Sequence, residues 1–406
     1  MHSFPKREIR VLLLENIHQS GVEVFQSDGF KVECVSGALP PEELENRIQG
    51  VHLLGLRSKS RVTRSVLQKA DRLLGVGCFC IGTDQVDLDS ANEFGVPVFN
   101  APYSNTRSVA EMIIGEIIDL ARGISFRSMK AHQGVWDKSA DGSYEIRGKT
   151  LGIVGYGHIG SQLSVLAESL GLRVLFYDTV KKLPLGNARG VDSLTTLLRE
   201  SDFVSLHVPD APDTRGMISL KEISTMKKGS FLLNASRGKV VVISDLAKAL
   251  SEKHLFGAAI DVFPEEPASN KDSFLTELQG LENVILTPHI GGSTQEAQKS
   301  IGLEVSHALL QFMNVGSTSG SVNFPKVDLP VQQDSHRILN VHRNVPGVLK
   351  DINRIVSDSG ANIRSQYLAT DPSIGYLVMD LDKLNSKDVL SQIKSLPTTI
   401  KSRILF

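Results

Sequence analysis

Short apolar runs alternate with longer amphipathic stretches through most of the chain. Residues 10–14 (RVLLL), 51–56 (VHLLGL), 74–78 (LGVGC) and 96–99 (VPVF) are bounded by Gly, Pro or polar residues, and each reads as a buried strand. Between them, residues 41–48 and 63–69 carry helical spacing. Strands and helices alternating in this way predict a parallel sheet covered by helices on both faces. Residues 108–122 place Met112, Ile113, Ile117, Ile118 and Leu120 on a long, largely buried helix, opened by a capping box from Ser108 to Glu111. A second strand–helix series starts at Thr150 and runs to about Pro288. Two parallel lobes predict a cleft between them, the usual place for a ligand.

The pattern then changes. Residues 291–308 are helical again and return to pack on the first lobe, and residues 314–330 (NVGSTSGSVNFPKVDLP) read as a linker. Beyond it the order is strand, helix, strand, strand, helix, strand, a small α+β unit. Residues 337–344 form its first strand and turn, and residues 345–349 open a helix with Pro346 in the first turn. Further strands begin at residues 361–363 and cover 375–381 and 400–405.

Composition narrows the class. At 406 residues the chain is too long for one ordinary core. Lys plus Arg number 44 against 45 Asp plus Glu, so no basic excess calls for nucleic acid or an anionic membrane as partner. The three cysteines do not suggest a disulfide framework, and the apolar run near the start is too short for a signal peptide. A cytoplasmic protein is expected. No metal is called for.

Chemistry enters at Thr150. The strand 150–154 is followed by Gly155-Tyr-Gly157-His-Ile-Gly160 and then by a helical pattern through Leu170. Gly155 permits a tight turn, Gly157 lets backbone approach a pyrophosphate, and Gly160 allows close helix–strand packing. A G-x-G-x-x-G alone is weak, but the next strand, 173–177, ends in Asp178, where a carboxylate accepts hydrogen bonds from an adenosine ribose. Asp178 repels a 2′-phosphate, so NAD is favoured over NADP. Three later segments end predicted strands with polar residues: FLLNASRG at 231–238, AAIDVFPEEP at 258–267 and VILTPHIGG at 284–292. Oxidising a 2-hydroxy acid requires a base for the hydroxyl proton, a carboxylate to orient that base and a cation for the substrate carboxylate. His289, Glu266 and Arg237 match those roles in that order.

Together GKTLGIVGYGHIG, LHVPDAPDTRGMIS, LLNASRGKVV, GAAIDVFPEEP and NVILTPHIGGST resemble the D-isomer-specific 2-hydroxyacid dehydrogenase family, over essentially all of residues 10–310. The resemblance implies two doubly wound parallel-sheet lobes, a Rossmann-type cofactor lobe at 105–293 and a flavodoxin-like substrate lobe at 1–104 with 294–328. It implies NAD as cofactor, Arg237 on the substrate carboxylate, Glu266 orienting the histidine, and His289 as acid/base. Cofactor contacts are implied at His158 and Ile159 over the pyrophosphate, at Asp178, at Ala235, Ser236 and Arg237, at Asp261, and at His289, Ile290, Gly291 and Gly292.

Residues 55–58 (GLRS), 77–84 (GCFCIGTD) and 100–108 (NAPYSNTRS) are similar to the branch of this family that oxidises 3-phospho-D-glycerate. That similarity places Arg57, Ser58 and Asn105 around the substrate phosphate and the 77–83 loop on the carboxylate side. The terminal unit, 334–406, resembles the ferredoxin-like ACT domain, which binds amino acids, usually between two copies. It implies L-serine as effector, held by His342, Asn344 and Asn362, and a homotetramer. Two rival readings are another NAD-dependent D-2-hydroxyacid dehydrogenase with an ACT sensor, and an NAD-sensing corepressor on the same fold. The terminal domain and the phosphate-side motifs favour the metabolic enzyme.

Overall fold

Five parallel strands organise the first lobe of the computed structural model, which describes residues 5–267 and 272–405. They are β1 (Arg10–Leu13), β2 (Lys31–Cys34), β3 (Leu53–Leu56), β4 (Gly75–Cys78) and β5 (Val98–Asn100), in the order β2-β1-β3-β4-β5. Alternate residues face opposite cores: Leu12, Leu54 and Val76 point to one, Val11, Leu13 and Leu53 to the other. β2 is missing from the apolar pattern because Lys-Val-Glu-Cys at the sheet edge is largely exposed. The order reverses between β1 and β3, so the loops leaving these strands diverge and open the crevice where such sheets bind ligands.

A larger sheet forms the unit Asn105–Ala297. Its strands are β6 (Thr150–Val154), β7 (Arg173–Tyr177), β8 (Arg189–Gly190), β9 (Phe203–Leu206), β10 (Ser230–Asn234), β11 (Leu255–Ile260) and β12 (Val284–Leu286). The order β12-β11-β10-β9-β6-β7-β8 is the doubly wound Rossmann arrangement with one added strand, and it reverses between β6 and β9. Helices Thr106–Arg122 and His158–Ser169 cover one face around Ile113, Ile117 and Leu163; those carrying Leu197, Ile223 and Leu246 cover the other. The expected capping box does not form. The helix begins at Thr106, Ser108 lies inside it against the Thr294 hydroxyl at 2.7 Å, and Glu111 pairs with Arg107 at 2.5 Å.

The chain then returns to the other compact unit, Met1–Ser104 with Gln298–Phe406. The helix forms over Gln295–Val315, later and longer than expected, because residues 291–294 are spent in a turn. Residues 316–330 are not a loose linker. Ser321 bridges Phe99 in antiparallel fashion, Thr318 Oγ1 accepts the Val327 amide at 2.8 Å, and Phe324 and Val327 are buried in the lobe core. Two apolar residues among many polar ones suffice to pin the segment.

The C-terminal domain is an antiparallel sheet of β13 (Ser335–Arg343), β14 (Ile363–Thr370), β15 (Ile374–Asp382) and β16 (Thr399–Leu405), ordered β14-β15-β13-β16. With helices Val348–Asp358 and Ser386–Ser395 it is the expected ferredoxin-like fold. Pro346 stands outside the first of these helices, which starts after Gly347 in a left-handed φ of 95°. Both sheet faces are apolar and both are covered. Ile338, Leu377 and Met379 pack under the helices, whereas Leu339, Tyr376 and Val378 pack on Phe312 and Phe324. Among the described residues no helix is long and apolar enough to cross a membrane.

Candidate active site

β6 runs into the turn Gly155-Tyr156-Gly157, and the helix His158–Ser169 starts there without a side-chain cap. Gly155 has φ 92°, and a Cβ on it would stand 2.3 Å from the His207 carbonyl oxygen, so only glycine fits. Gly160 is buried, and a Cβ there would stand 2.3 Å from the Gly155 carbonyl oxygen, which measures how closely the helix lies on the strand. Gly157 differs: a Cβ there would meet nothing within 4 Å. Exposed backbone under open space at an uncapped helix start suits a pyrophosphate. His158 is exposed and Ile159 half-buried at the same mouth. Asp178, directly after β7, accepts the amides of Tyr156 and Val180, both at 2.9 Å. Those bonds hold its carboxylate beside the turn, and each oxygen retains a lone pair for a ribose hydroxyl. The residues present fit a dinucleotide.

β10 ends at Asn234, whose side chain braces the next loop. Its Oδ1 accepts the Ser236 amide at 3.1 Å and hydroxyl at 2.8 Å, and its Nδ2 donates to the Arg237 carbonyl at 3.0 Å. Ala235 is half-buried and Ser236 buried. A Cβ on Gly238 would lie 2.0 Å from the Phe263 carbonyl, so this loop is pressed against the one leaving β11. There Glu266 Oε1 accepts the Phe263 amide at 3.2 Å. His289, after β12, has φ 55° and sets its Nδ1 2.8 Å from Glu266 Oε2 and 3.1 Å from Oε1. Asp261, 1% exposed, holds this turn: its Oδ1 accepts the Thr287 hydroxyl at 2.6 Å and the Ile290 amide at 2.8 Å, and its Oδ2 the Gly291 amide at 2.9 Å. Gly292 lies against Asn105, whose Nδ2 would stand 2.6 Å from a Cβ there.

Electrostatics follow the geometry. The Glu266 hydrogen bond raises the His289 pKa above its ordinary 6.5, against burial, and the Arg237 charge opposes the rise. Burial pushes Glu266 upward, yet His289, the Phe263 amide and Arg237 together hold its carboxyl below the ordinary range.

The remaining predicted residues lie in the other unit. Arg57 is half-buried after β3, with Ser58 exposed beside it, and the guanidinium has no ion-pair partner among the described residues. Of the effector set, His342 is buried with its Nδ1 2.8 Å from Asn340 Oδ1, and Asn344 Nδ2 donates to the Asp371 carbonyl at 2.6 Å. Asn362 is not with them. His342 pairs opposite Gly375, whereas Ile363 pairs opposite Leu381, itself opposite His336. Within one chain Asn362 and His342 thus sit at opposite ends of the sheet, about 20 Å apart at ~3.3 Å per residue.

Sequence reasoning missed three polar groups. Glu116, on the buried face of helix Thr106–Arg122, is pushed up to about 8 by burial and then by the Asp261 charge. His207, at the carboxyl end of β9 beside the glycine turn, is pushed down to about 4 by burial, with its Nε2 2.8 Å from the Ser205 hydroxyl. Glu15 holds the Arg57 loop from the end of the neighbouring strand β1. An acid within an apolar helical stripe is a readable signal for Glu116; the other two depend on which strands become neighbours.

Comparison with known proteins places these features. A family model for the D-isomer specific 2-hydroxyacid dehydrogenase NAD binding domain matches residues 114–291, and one for an AHAS small subunit-like ACT domain matches residues 338–401. The D-3-phosphoglycerate dehydrogenase of Dictyostelium discoideum is 56% identical over 100% of this chain and 99% of its own length. That of Escherichia coli K12 is 53% identical with the same coverage. In structure, the D-lactate dehydrogenase of Aquifex aeolicus complexed with NAD and lactic acid aligns at TM-score 0.69 and 27% identity, over 78% of this chain and 100% of that one.

Proposed function

The chain belongs to the D-isomer-specific 2-hydroxyacid dehydrogenase family, and from that premise we propose that it oxidises 3-phospho-D-glycerate to 3-phosphooxypyruvate with NAD, the first step of phosphorylated L-serine biosynthesis. The observation that carries the chemistry is the His289–Glu266 pair, 2.8 Å apart, on loops adjoining the one that bears Arg237. With Nδ1 engaged by Glu266, the free Nε2 of His289 takes the C2 hydroxyl proton. Glu266 then stabilises the imidazolium. Arg237 holds the substrate carboxylate and polarises the C2 oxygen. Arg57 and Ser58, with Asn105, bind the phosphate. NAD, when bound, supplies the acceptor for the hydride that leaves C2. Gly155, Gly157, His158, Ile159 and Gly160 hold its phosphates, Asp178 its ribose, and Ala235, Ser236, Asp261 and the 289–292 turn its nicotinamide side.

Regulation and assembly extend this reading. β14 is an edge strand, and a second copy paired antiparallel along it sets its own Asn362 at the level of Asn344. L-serine bound between two copies then meets all three effector residues. A separate patch, Ile124, Met129, Val135 and Trp136, is 50% exposed or more, and Trp136 is 87% exposed. The open edge of β14 and this exposed apolar patch are two separate surfaces for contact between copies, which supports a homotetramer. Three free cysteines fit the cytoplasm.

One assay tests the whole. NADH forms from 3-phosphoglycerate and NAD far faster than from D-glycerate, and L-serine lowers the rate. No NADH rejects the activity, and no serine effect with no calorimetric heat rejects the effector. For the cofactor, Asp178→Ala raises the KM for NAD by about 10- to 100-fold, the worth of hydrogen bonds to a charged acceptor. The KM for NADP falls or holds, since the acid that repels its phosphate is gone. Equal losses for both cofactors count against the ribose role.

A further inference from the structure

Resting on the proposed reading of Arg57 and Ser58 as phosphate ligands, we infer that Glu15 makes the site selective for a phosphorylated substrate by positioning the loop that carries them. Glu15 follows β1 and Arg57 follows β3, the two strands between which the sheet order reverses. Glu15 is buried, at 8% exposure. Its Oε2 accepts the Lys59 amide at 3.0 Å and its Oε1 the Ser60 amide at 2.8 Å. One carboxylate thus spans the two amides that follow Ser58. From the other side Gln85, 5% exposed, donates through Nε2 to the Arg57 carbonyl at 2.6 Å. The same Nε2 lies 3.3 Å from the Gly82 carbonyl in the 77–83 loop. The phosphate loop is therefore held at both ends, by an acid on its amides and an amide on its carbonyl.

Two features argue that Glu15 serves this geometry. Its φ is 62° and that of Asn16 is 52°, the left-handed region where glycine is the easier occupant. A carboxylate beside an anion-binding loop also repels the anion, so its charge alone opposes phosphate binding. The sign of that effect separates a positioning role from an electrostatic one.

The full chain is assayed with NAD on 3-phosphoglycerate and on D-glycerate, which lacks the phosphate. Glu15→Gly relaxes the backbone and removes the carboxylate. It raises the KM for 3-phosphoglycerate by about 10- to 100-fold, as a misplaced binding group does. It leaves kcat, the KM for NAD and kcat/KM for D-glycerate within about two-fold. Glu15→Gln, which keeps the shape and one accepting oxygen, falls between, and supplies the measurement if the glycine variant does not fold. Added to Arg57→Ala, Glu15→Gly brings a smaller loss than it does alone, because both act on the same phosphate and only Ser58 is left to misplace. A lower KM in Glu15→Gln, or equal losses on the two substrates, overturns the inference. Arg57→Ala alone tells the two claims apart. If it spares the 3-phosphoglycerate KM, the phosphate reading fails and the inference with it; if it is selective and the Glu15 variants are not, only the inference fails.

Discussion

Replacing His289 with Asn lowers kcat for phosphoglycerate oxidation by about 10²- to 10⁴-fold, the usual worth of a positioned general base. The pH profile gives a finer reading. Oxidation needs His289 neutral, and its pKa is raised by Glu266 above the ordinary 6.5, so the rate falls on the acid side with a midpoint above that value. The reverse reduction needs the protonated ring and falls as pH rises through the same value. Glu266→Gln removes the largest cause of the rise and leaves burial and Arg237 pushing downward against Asp261 alone, so the acid limb moves to lower pH while kcat drops. The stability sign agrees: the charged ring adds stability below the ordinary histidine pKa, and that stability is lost as pH rises through the raised one. Steady-state kinetics against pH check both statements. An unmoved acid limb in Glu266→Gln would remove Glu266 from the mechanism, and a His289→Asn enzyme with undiminished kcat would remove His289.

Much of this site is legible in the chain because its parts are local. The turn of Gly155 to Gly160 follows its strand directly, and Asp178 caps the next strand, so backbone conformation and side chain are both set within one strand–helix–strand unit. Arg237, Glu266 and His289 are legible for a related reason. Each follows a parallel strand, and parallel strands deliver all their exits to one edge. What stays hidden depends on register or on distant partners. Glu15 bonds residues 44 and 45 positions away, and no periodicity encodes that pairing. His342 and Asn362 belong to one effector set, and only the ladder shows that within a single chain they stand at opposite ends of the sheet. The segment 316–330 reads as a linker by composition, although Phe324 and Val327 fasten it to a core. Ser108 and Glu111 have capping-box spacing, yet the helix starts two residues earlier. A spacing motif states what a helix start allows, and tertiary contacts decide where it occurs.

The second large effect falls on the junction of the C-terminal domain. Arg337→Ala destabilises that domain by about 3–5 kcal/mol, the range for a buried charge stripped of its partner. Arg337 is 5% exposed and uses every donor it has. Nε and Nη2 bind Asp380 at 2.7 and 2.8 Å; Nη1 donates to the carbonyls of Val315 and Leu329 at 2.9 and 2.8 Å, and Nη2 also to Pro330 at 2.7 Å. Asp380 is 1% exposed, and its only other described partner is the Ser365 hydroxyl at 2.6 Å. Truncating the arginine therefore leaves a buried carboxylate with the Ser365 hydroxyl as its one side-chain donor, and takes a donor from each of three part-buried carbonyls. Arg337→Met with Asp380→Leu removes the charge at both ends and recovers part of the loss, so the double variant is less destabilised than the two single losses added together. Calorimetric melting of the full chain measures this, and basal kcat below the transition stays at its normal value because the chemistry lies in the other unit. A melting curve for Arg337→Ala displaced by no more than a surface ion pair's worth, about 1 kcal/mol or less, would mean that the guanidinium only decorates this junction. The carbonyls it binds close the helix Gln295–Val315 and end the segment before β13. The same side chain that completes this domain's sheet thus also ties the domain to the end of the helix Gln295–Val315 and to the segment before β13.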